Sequence, residues 1–314
     1  MNDTHWLARF DELVESGAVS YDANQETIEH VEGDLKYHFI LTTALTTKPH
    51  TISSPTTSST STTSSPTTSS TSTTPPQFRP GSDINTTGYE LTPIGPSHFL
   101  AINKFCYARP HLMLLTSSGH HRQHEPLSLS DLAAAWTLLT STTRTDYVVF
   151  FNGGKEAGCS RAHKHLQMLI LPKASLAAFL DDDDDDDDDD EEGVEPTVSF
   201  QWFYERFGKR HVTPEGLKER YDALMDKAEE CCGRKKEDAV TGATCPHNFL
   251  LTKRWMLVVP RRKWGITKDV GANSMGVIGV LPCTTRADME IWKEVGVGKG
   301  LAMIGVPREE SRPA

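Results

Sequence analysis

The sequence has no run of 18 apolar residues, so no segment is expected to cross a membrane as a helix. Its start, Met1-Asn2-Asp3-Thr4-His5-Trp6, lacks the basic-then-apolar pattern of a secretory signal. The six cysteines (Cys106, Cys159, Cys231, Cys232, Cys245 and Cys283) include no C-x-x-C pair and read as free thiols in a reducing compartment. A cytoplasmic location is therefore expected, with nuclear access left open. Hydrophobic residues make up only 37% of the 314, low for a globular chain. Two biased segments account for the shortfall. Residues 51–76 are almost entirely Thr, Ser and Pro, and residues 181–192 are ten Asp followed by two Glu. Neither can bury enough apolar area to offset the entropy of ordering, so both are expected to be disordered, solvated insertions. The acidic run supplies twelve negative charges to a net charge of −11, so the rest of the chain is nearly neutral and the low pI says little about partners.

What remains is patterned. Residues 5–17 and 214–230 repeat apolar side chains at helical spacing, and Leu127 to Thr140 does the same with Ser130 as a candidate cap. Residues 98–105, 111–116, 147–151, 163–171, 248–252 and 255–259 read as strands, as does the apolar run Val277 to Leu281, followed by a helix from Ala287 to Val295. The order implies an α+β protein with a mostly antiparallel sheet and flanking helices. A weak echo between Leu100–Leu115 and Leu250–Val259 hints at two related halves.

Chemistry concentrates in Phe150 to Pro172. Residues i, i+2 and i+4 share a face only on a strand; on a helix His163 and His165 would point roughly 200° apart. On a strand His163, His165 and Gln167 project together, and Lys164, Leu166 and Met168 project the other way. An imidazole that titrates near neutrality can attack phosphorus. A carboxamide can donate to a phosphate oxygen without adding charge. Upstream, Gly158-Cys159-Ser160-Arg161 offers backbone N–H groups, a hydroxyl and a guanidinium for further phosphates.

The segment Phe151-Asn152-Gly153-Gly154-Lys155-Glu156-Ala157-Gly158-Cys159-Ser160-Arg161-Ala162-His163-Lys164-His165-Leu166-Gln167 resembles the active-site stretch of fungal-type diadenosine tetraphosphate phosphorylases, also called ATP adenylyltransferases. These belong to the galactose-1-phosphate uridylyltransferase-like branch of the histidine-triad superfamily, which has Gln where the hydrolase branch has a third His. The resemblance extends through His98–Phe105, Phe249–Arg261 and Gly271–Gly276, covering most of 84–180 and 195–307. It implies a histidine-triad-like fold and a nucleotidyltransferase that phosphorolyses diadenosine tetraphosphate to ATP and ADP. His165 would attack the α-phosphorus, with His163 supporting it through its backbone carbonyl and Gln167 holding an α-phosphate oxygen. Lys48, Asn103, Lys104, Asn152, Gly158, Cys159, Ser160 and Arg161 would contact nucleotide or phosphate, and Asn273, Ser274 and Met275 would approach from a second domain. The implied ligands are a dinucleoside polyphosphate, ATP, ADP and inorganic phosphate. No cofactor is implied, whether a divalent cation accompanies the nucleotide is left open, and a duplicated core suits a monomer. A transferase for another nucleotide and a catalytically silent nucleotide-binding protein are the alternatives.

The expected organisation is an N-terminal part of the catalytic domain (1–50), an insertion (51–80), the catalytic domain (81–180), an acidic loop (181–195) and a C-terminal adenylyltransferase-like domain (196–310). Other clusters carry less. Cys231, Cys232, Cys245 and His247 lack the spacing of a zinc site, and His120, His121 and His124 read as a polar loop. The basic residues around Trp255 and Trp264 fit the surroundings of a nucleotide pocket, so neither a metal nor a nucleic acid is expected.

Overall fold

The computed structural model describes residues 3–46, 78–181, 194–233 and 244–308. Lys48, the Ser/Thr/Pro-rich run and the acidic run beyond Asp181 lie outside them, and so do the expectations placed there.

Helix α1 (Asp3–Glu15) buries Trp6, Phe10 and Leu13 along one stripe. After β1 (Ser20–Tyr21), β2 (Glu26–Glu32) and β3 (Leu35–Leu41) form a hairpin, with Gly33 supplying the left-handed turn conformation at φ 59°. Strands β4 (Glu90–Ile94), β5 (His98–Ile102), β6 (Phe105–Cys106) and β7 (His111–Thr116) follow. The strand expected over 98–105 is interrupted because the Asn103 side chain accepts from the Phe105 N–H at 3.3 Å and turns the chain out of the ladder. Helix α2 (Leu129–Ser141) is capped by Ser128 rather than Ser130. The Ser128 hydroxyl accepts from the Asp131 N–H and the Asp131 carboxylate accepts from the Ser128 N–H, a reciprocal capping box. Strands β8 (Tyr147–Gly153), β9 (His165–Ile170) and β10 (Phe203–Arg206) precede α3 (Pro214–Cys231), which Thr213 caps and Pro214 starts. The chain closes with β11 (His247–Leu251), β12 (Trp255–Pro260), α4 (Ser274–Val277), β13 (Val280–Cys283), α5 (Arg286–Val295) and α6 (Val297–Ile304). The strand expected at 277–281 is therefore displaced. Asn273 caps a helical turn that ends at Val277, Gly279 resets the backbone at φ 87°, and the strand starts at Val280. A short apolar run does not distinguish a buried helical turn from a buried strand.

Eight strands form one sheet in the order β10-β12-β11-β8-β9-β7-β5-β4, every neighbouring pair antiparallel. The two hairpins that echo each other in sequence flank the central β8–β9 pair on opposite sides. A second sheet, β13-β3-β2, joins the N-terminal hairpin to the C-terminal region through parallel pairing of β3 with β13.

Alternation along β8 separates two cores. Tyr147, Val149 and Phe151 pack with Trp6, Leu132 and Tyr221 beneath α1, α2 and α3. Val148 and Phe150 pack on the other face with Tyr37, Phe39 and Trp292, under the small sheet and the C-terminal helices. That second layer covers the β8–β12 half of its face. It also reaches Leu169 toward the end of β9, while over β5 and β7 a small cluster of Ile84, Phe99, Ala101 and Leu115 lies on the sheet. The step between covered and uncovered halves is where the site forms.

Candidate active site

His165 opens β9 and is the last residue in register with β7, opposite Leu115. Two residues on, Gln167 lies opposite Met113 on one side and Phe150 on the other, so these side chains share the partly uncovered face. The same face carries Asn152 and, across the next rung, Asn248. Lys164 points the opposite way. Its ammonium donates to the Asp131 carboxylate at 2.7 Å and to the Pro126 carbonyl at 2.6 Å, both groups being almost fully buried. His98 donates to the other Asp131 oxygen at 2.8 Å. Burial opposes ionisation of Asp131, but the His98 hydrogen bond and the Lys164 charge outweigh it and hold the carboxyl well below the usual range.

The expectation that the His163 ring projects with His165 and Gln167 requires correction. His163 makes one isolated bridge, with Arg122, before the ladder begins, and alternation holds only inside a ladder. Its imidazole is fully buried between Ser82, 2.8 Å from Nδ1, and the Thr116 carbonyl, 3.0 Å from Nε2. Burial lowers its pKa, so the ring is neutral, donates from Nε2 and accepts the Ser82 hydroxyl at Nδ1. What His163 offers the site is its backbone: His165 Nδ1 lies 2.8 Å from the His163 carbonyl oxygen. A carbonyl only accepts, so Nδ1 carries a proton, and in the neutral ring the in-plane lone pair is on Nε2. His111 plays a comparable part for Gln167. Its Nε2 lies 2.8 Å from the Gln167 carboxamide oxygen and 3.2 Å from Asn103 Nδ2, so the ring holds the Gln167 side chain against the strand.

Two cavities meet at this point. One, of about 270 Å³, is lined by His165, Met113, Lys104 and Arg161. The other, of about 360 Å³, is lined by Tyr107, His111, Asn152, Trp264, Asn273 and Trp292. Asn103, Phe105, Ser160 and Gln167 line both. Two compartments with aromatic or apolar walls, joined at a polar waist beside an imidazole lone pair, suit a two-ended ligand whose ends are linked by phosphates.

The remaining candidate residues divide between wall and frame. Gly158, at φ 88°, brings its loop against residues 272–273, where an added Cβ would lie 3.0 Å from the Ala272 carbonyl. Cys159 lines neither cavity, and burial with the Glu156 charge pushes its thiol up to about 12. Asn152 lines the larger cavity, but its side-chain oxygen is occupied by the Ser274 N–H at 2.9 Å, the Ser274 hydroxyl at 2.7 Å and Asn248 at 3.0 Å. Ser274 and Met275, expected as nucleotide contacts, are fully buried behind the wall, where Ser274 ties α4 to β8. Asn273 does line the cavity while accepting from the Met275 and Gly276 N–H groups.

Several residues of this frame were not among the candidate site residues. Arg261 is 1% exposed, and its partners among the described residues are neutral acceptors: Asn248 and the carbonyls of Lys263, Trp264, Ala272 and Ile304. Burial drops its pKa to about 9. Asp83 accepts from the Ala162 and His163 N–H groups at 2.8 and 2.9 Å. Nothing local in the sequence marks Asp83 or His111, because their partners lie 80 and 56 residues away. Among the described residues no cluster of three His, Cys, Asp or Glu is arranged to hold a metal ion.

Two family models match the chain: the Ap4A phosphorylase N-terminal domain over residues 66–179 and the ATP adenylyltransferase C-terminal domain over residues 196–307. Diadenosine 5',5'''-P1,P4-tetraphosphate phosphorylase 2 of Saccharomyces cerevisiae is 30% identical over 232 residues, 66% of this chain and 69% of the relative. The crystal structure of yeast Ap4A phosphorylase Apa2 aligns with a TM-score of 0.72 at 21% identity, covering 100% of this chain and 97% of that one. The same enzyme in complex with Ap4A aligns at 0.70 and 22% identity, covering 98% of each chain.

Proposed function

The chain belongs to the Ap4A phosphorylase (ATP adenylyltransferase) family of nucleotidyltransferases, and on that premise we propose that it phosphorolyses diadenosine tetraphosphate through an adenylyl group carried on His165. The observation that carries this reading is the hydrogen bond from His165 Nδ1 to the His163 carbonyl, which supports Nε2 as the nucleophilic nitrogen beside the junction of the cavities.

In the first half-reaction Nε2 attacks the α-phosphorus. The bond to the bridging oxygen breaks, and ATP leaves with that oxygen. In the second, a phosphate oxygen attacks the same phosphorus, the P–N bond breaks and ADP leaves, returning the neutral imidazole. Charge on the non-bridging oxygens is met by the Gln167 amide and the Ser160 hydroxyl, with Lys104 and Arg161 on the cavity wall and Asn103 at the waist. Gly158 and the backbone beside Cys159 let the loop close over the phosphates, while Asn152 and Asn273 shape the second compartment. The intermediate survives only if bulk water is kept out, which the aromatic walls of the cavities favour. An eight-stranded sheet built from one chain supports a monomer, and six free thiols support a cytoplasmic setting.

Incubation with diadenosine tetraphosphate labelled in one α-phosphate tests the reading. ATP and ADP that depend on added phosphate, with a labelled protein adduct lost in His165→Ala, are expected. AMP formed without phosphate dependence would indicate a hydrolase, and an adduct retained in His165→Ala would remove His165 as the nucleophile.

A further inference from the structure

The β8–β9 ladder runs from Tyr147↔Ile170 to Phe150↔Gln167 and stops there. Continued by one more alternate rung it would set Asn152 against His165. Both strands persist beyond the stop, since β8 goes on to Gly153 along β11 and β9 begins at His165 along β7. The backbone polar groups left facing the gap need partners there.

The side chain of Gln123 supplies them. Its Oε1 accepts from the His165 N–H at 2.8 Å, and its Nε2 donates to the His165 carbonyl at 2.9 Å and to the Asn152 carbonyl at 3.2 Å. The backbone of the same residue donates to the Ala162 carbonyl at 2.9 Å and accepts from the Gly154 N–H at 3.1 Å. Gln123 is 3% exposed. One residue thus joins both ends of the 154–162 loop to the nucleophile's own peptide groups. Its neighbour Arg122 pins the segment by donating to the Gly119 and Gly81 carbonyls at 2.6 and 3.2 Å.

We propose that Gln123 is the positioning residue of the nucleophile: its carboxamide stands in for a strand partner, splays β8 from β9 and fixes the peptide of His165, so that Nε2 meets the α-phosphorus. A carboxamide fits this place because the gap presents one donor and two acceptors. It supplies one acceptor and two donors without introducing a charge beside the phosphates. Deleting it frees His165 at one end of its strand. A misplacement of about 1 Å at a reacting atom costs about 100-fold in rate. The inference rests on His165 being the nucleophile.

The test uses the full-length protein with two variants, Gln123→Met and Gln123→Glu, and His165→Ala as control. Gln123→Met keeps the length and removes all three hydrogen bonds. A loss of about 100-fold in kcat is expected, with KM for the dinucleotide within about threefold and the adduct forming correspondingly slowly. Gln123→Glu keeps the acceptor but, when ionised, cannot donate. Its kcat relative to the parent should be low at pH 8 and recover as acid restores one O–H donor, a pH profile that a purely structural defect would not produce. A folded Gln123→Met protein with kcat within about threefold of the parent overturns the proposal. If that variant fails to fold, Gln123→Glu decides: parental kcat at pH 8 overturns the proposal, and loss with recovery in acid supports it. If His165→Ala is inactive while the Gln123 variants turn over normally, only the positioning role fails. If His165→Ala turns over, the nucleophile assignment fails.

Discussion

Lys164 stands between two histidines yet faces away from the cavities, which makes it a sharp test of how the strand is held. Replacing it by Met keeps the length of the side chain and removes the ammonium from the Asp131 carboxylate, 2.7 Å away, in a site where both side chains are almost fully buried. Removing one partner of a buried pair costs about 3–5 kcal/mol, because an ionised group is left in low dielectric. Asp131 keeps the His98 bond at 2.8 Å and two bonds from Ser128 at 2.7 and 2.8 Å, which places the expected loss near the low end, about 3 kcal/mol at pH 7. With a urea m-value of about 3 kcal/mol/M this is a fall of about 1 M in the unfolding midpoint. The pH dependence follows from the lowered Asp131 pKa. A carboxyl whose folded pKa is depressed contributes stability that is present above its unfolded pKa and lost as pH falls toward the folded value. Without Lys164 the folded pKa rises, so the penalty of Lys164→Met should be steady from pH 8 to about 5 and shrink below about 4. Because the ammonium faces the far side of the sheet, residual kcat in the folded fraction should fall far less than in Gln123→Met. A loss below about 1 kcal/mol at pH 7, or one that grows in acid, would refute the account of a compensated buried pair.

Two further outcomes follow from the site's surroundings. His247 is fully buried, donating from Nδ1 to the Cys245 carbonyl at 2.9 Å with Tyr221 at Nε2, and burial drops its pKa to about 4. A histidine held below its unfolded value stays neutral in the fold while the unfolded chain takes up a proton. Stability should therefore fall by about 3 kcal/mol as pH drops from about 6.5 to about 4, with the buried His163 adding in the same direction. If urea midpoints in that window are flat, or are unchanged in slope by His247→Phe, this linkage is wrong. Gln167→Glu keeps the shape that His111 holds but puts a charge where a phosphate oxygen would sit, so adduct formation should slow about 100-fold or more with the fold intact, as read by rapid quench. Turnover at the parental rate would remove Gln167 from contact with the phosphates.

The strand through His165 and Gln167 was legible because alternation is local: Leu166 and Met168 face one core, and Gln167 faces the cavities. The same rule misplaced His163 because it describes a chain inside a ladder, and here the ladder starts at His165. Likewise, Asn273, Ser274 and Met275 read as one block of nucleotide contacts, although only Asn273 reaches a cavity and Ser274 spends its hydroxyl on β8. Residue types announce polar capacity but not whether the fold consumes it. Gln123, His111 and Asp83 lay beyond reach for a further reason. Each acts on the His163–Gln167 segment from 42, 56 or 80 residues away, through a register and a loop path that no local pattern encodes.

These three residues also explain why the short motif works where it stands. A bare H-x-H-x-Q strand leaves three freedoms open: the position of the His165 peptide, the position of the Gln167 side chain and the path of the chain before the strand. Gln123 removes the first, His111 the second, and Asp83, with the buried ring of His163, the third. Because each constraint acts on a different freedom, combining Gln123→Met with a change at His111 should reduce adduct formation by the product of the single effects. Their atoms touch different groups and share no hydrogen bond, one of the conditions under which effects add in free energy. A double variant no worse than the poorer single one would show instead that both residues act on one coupled motion of β9.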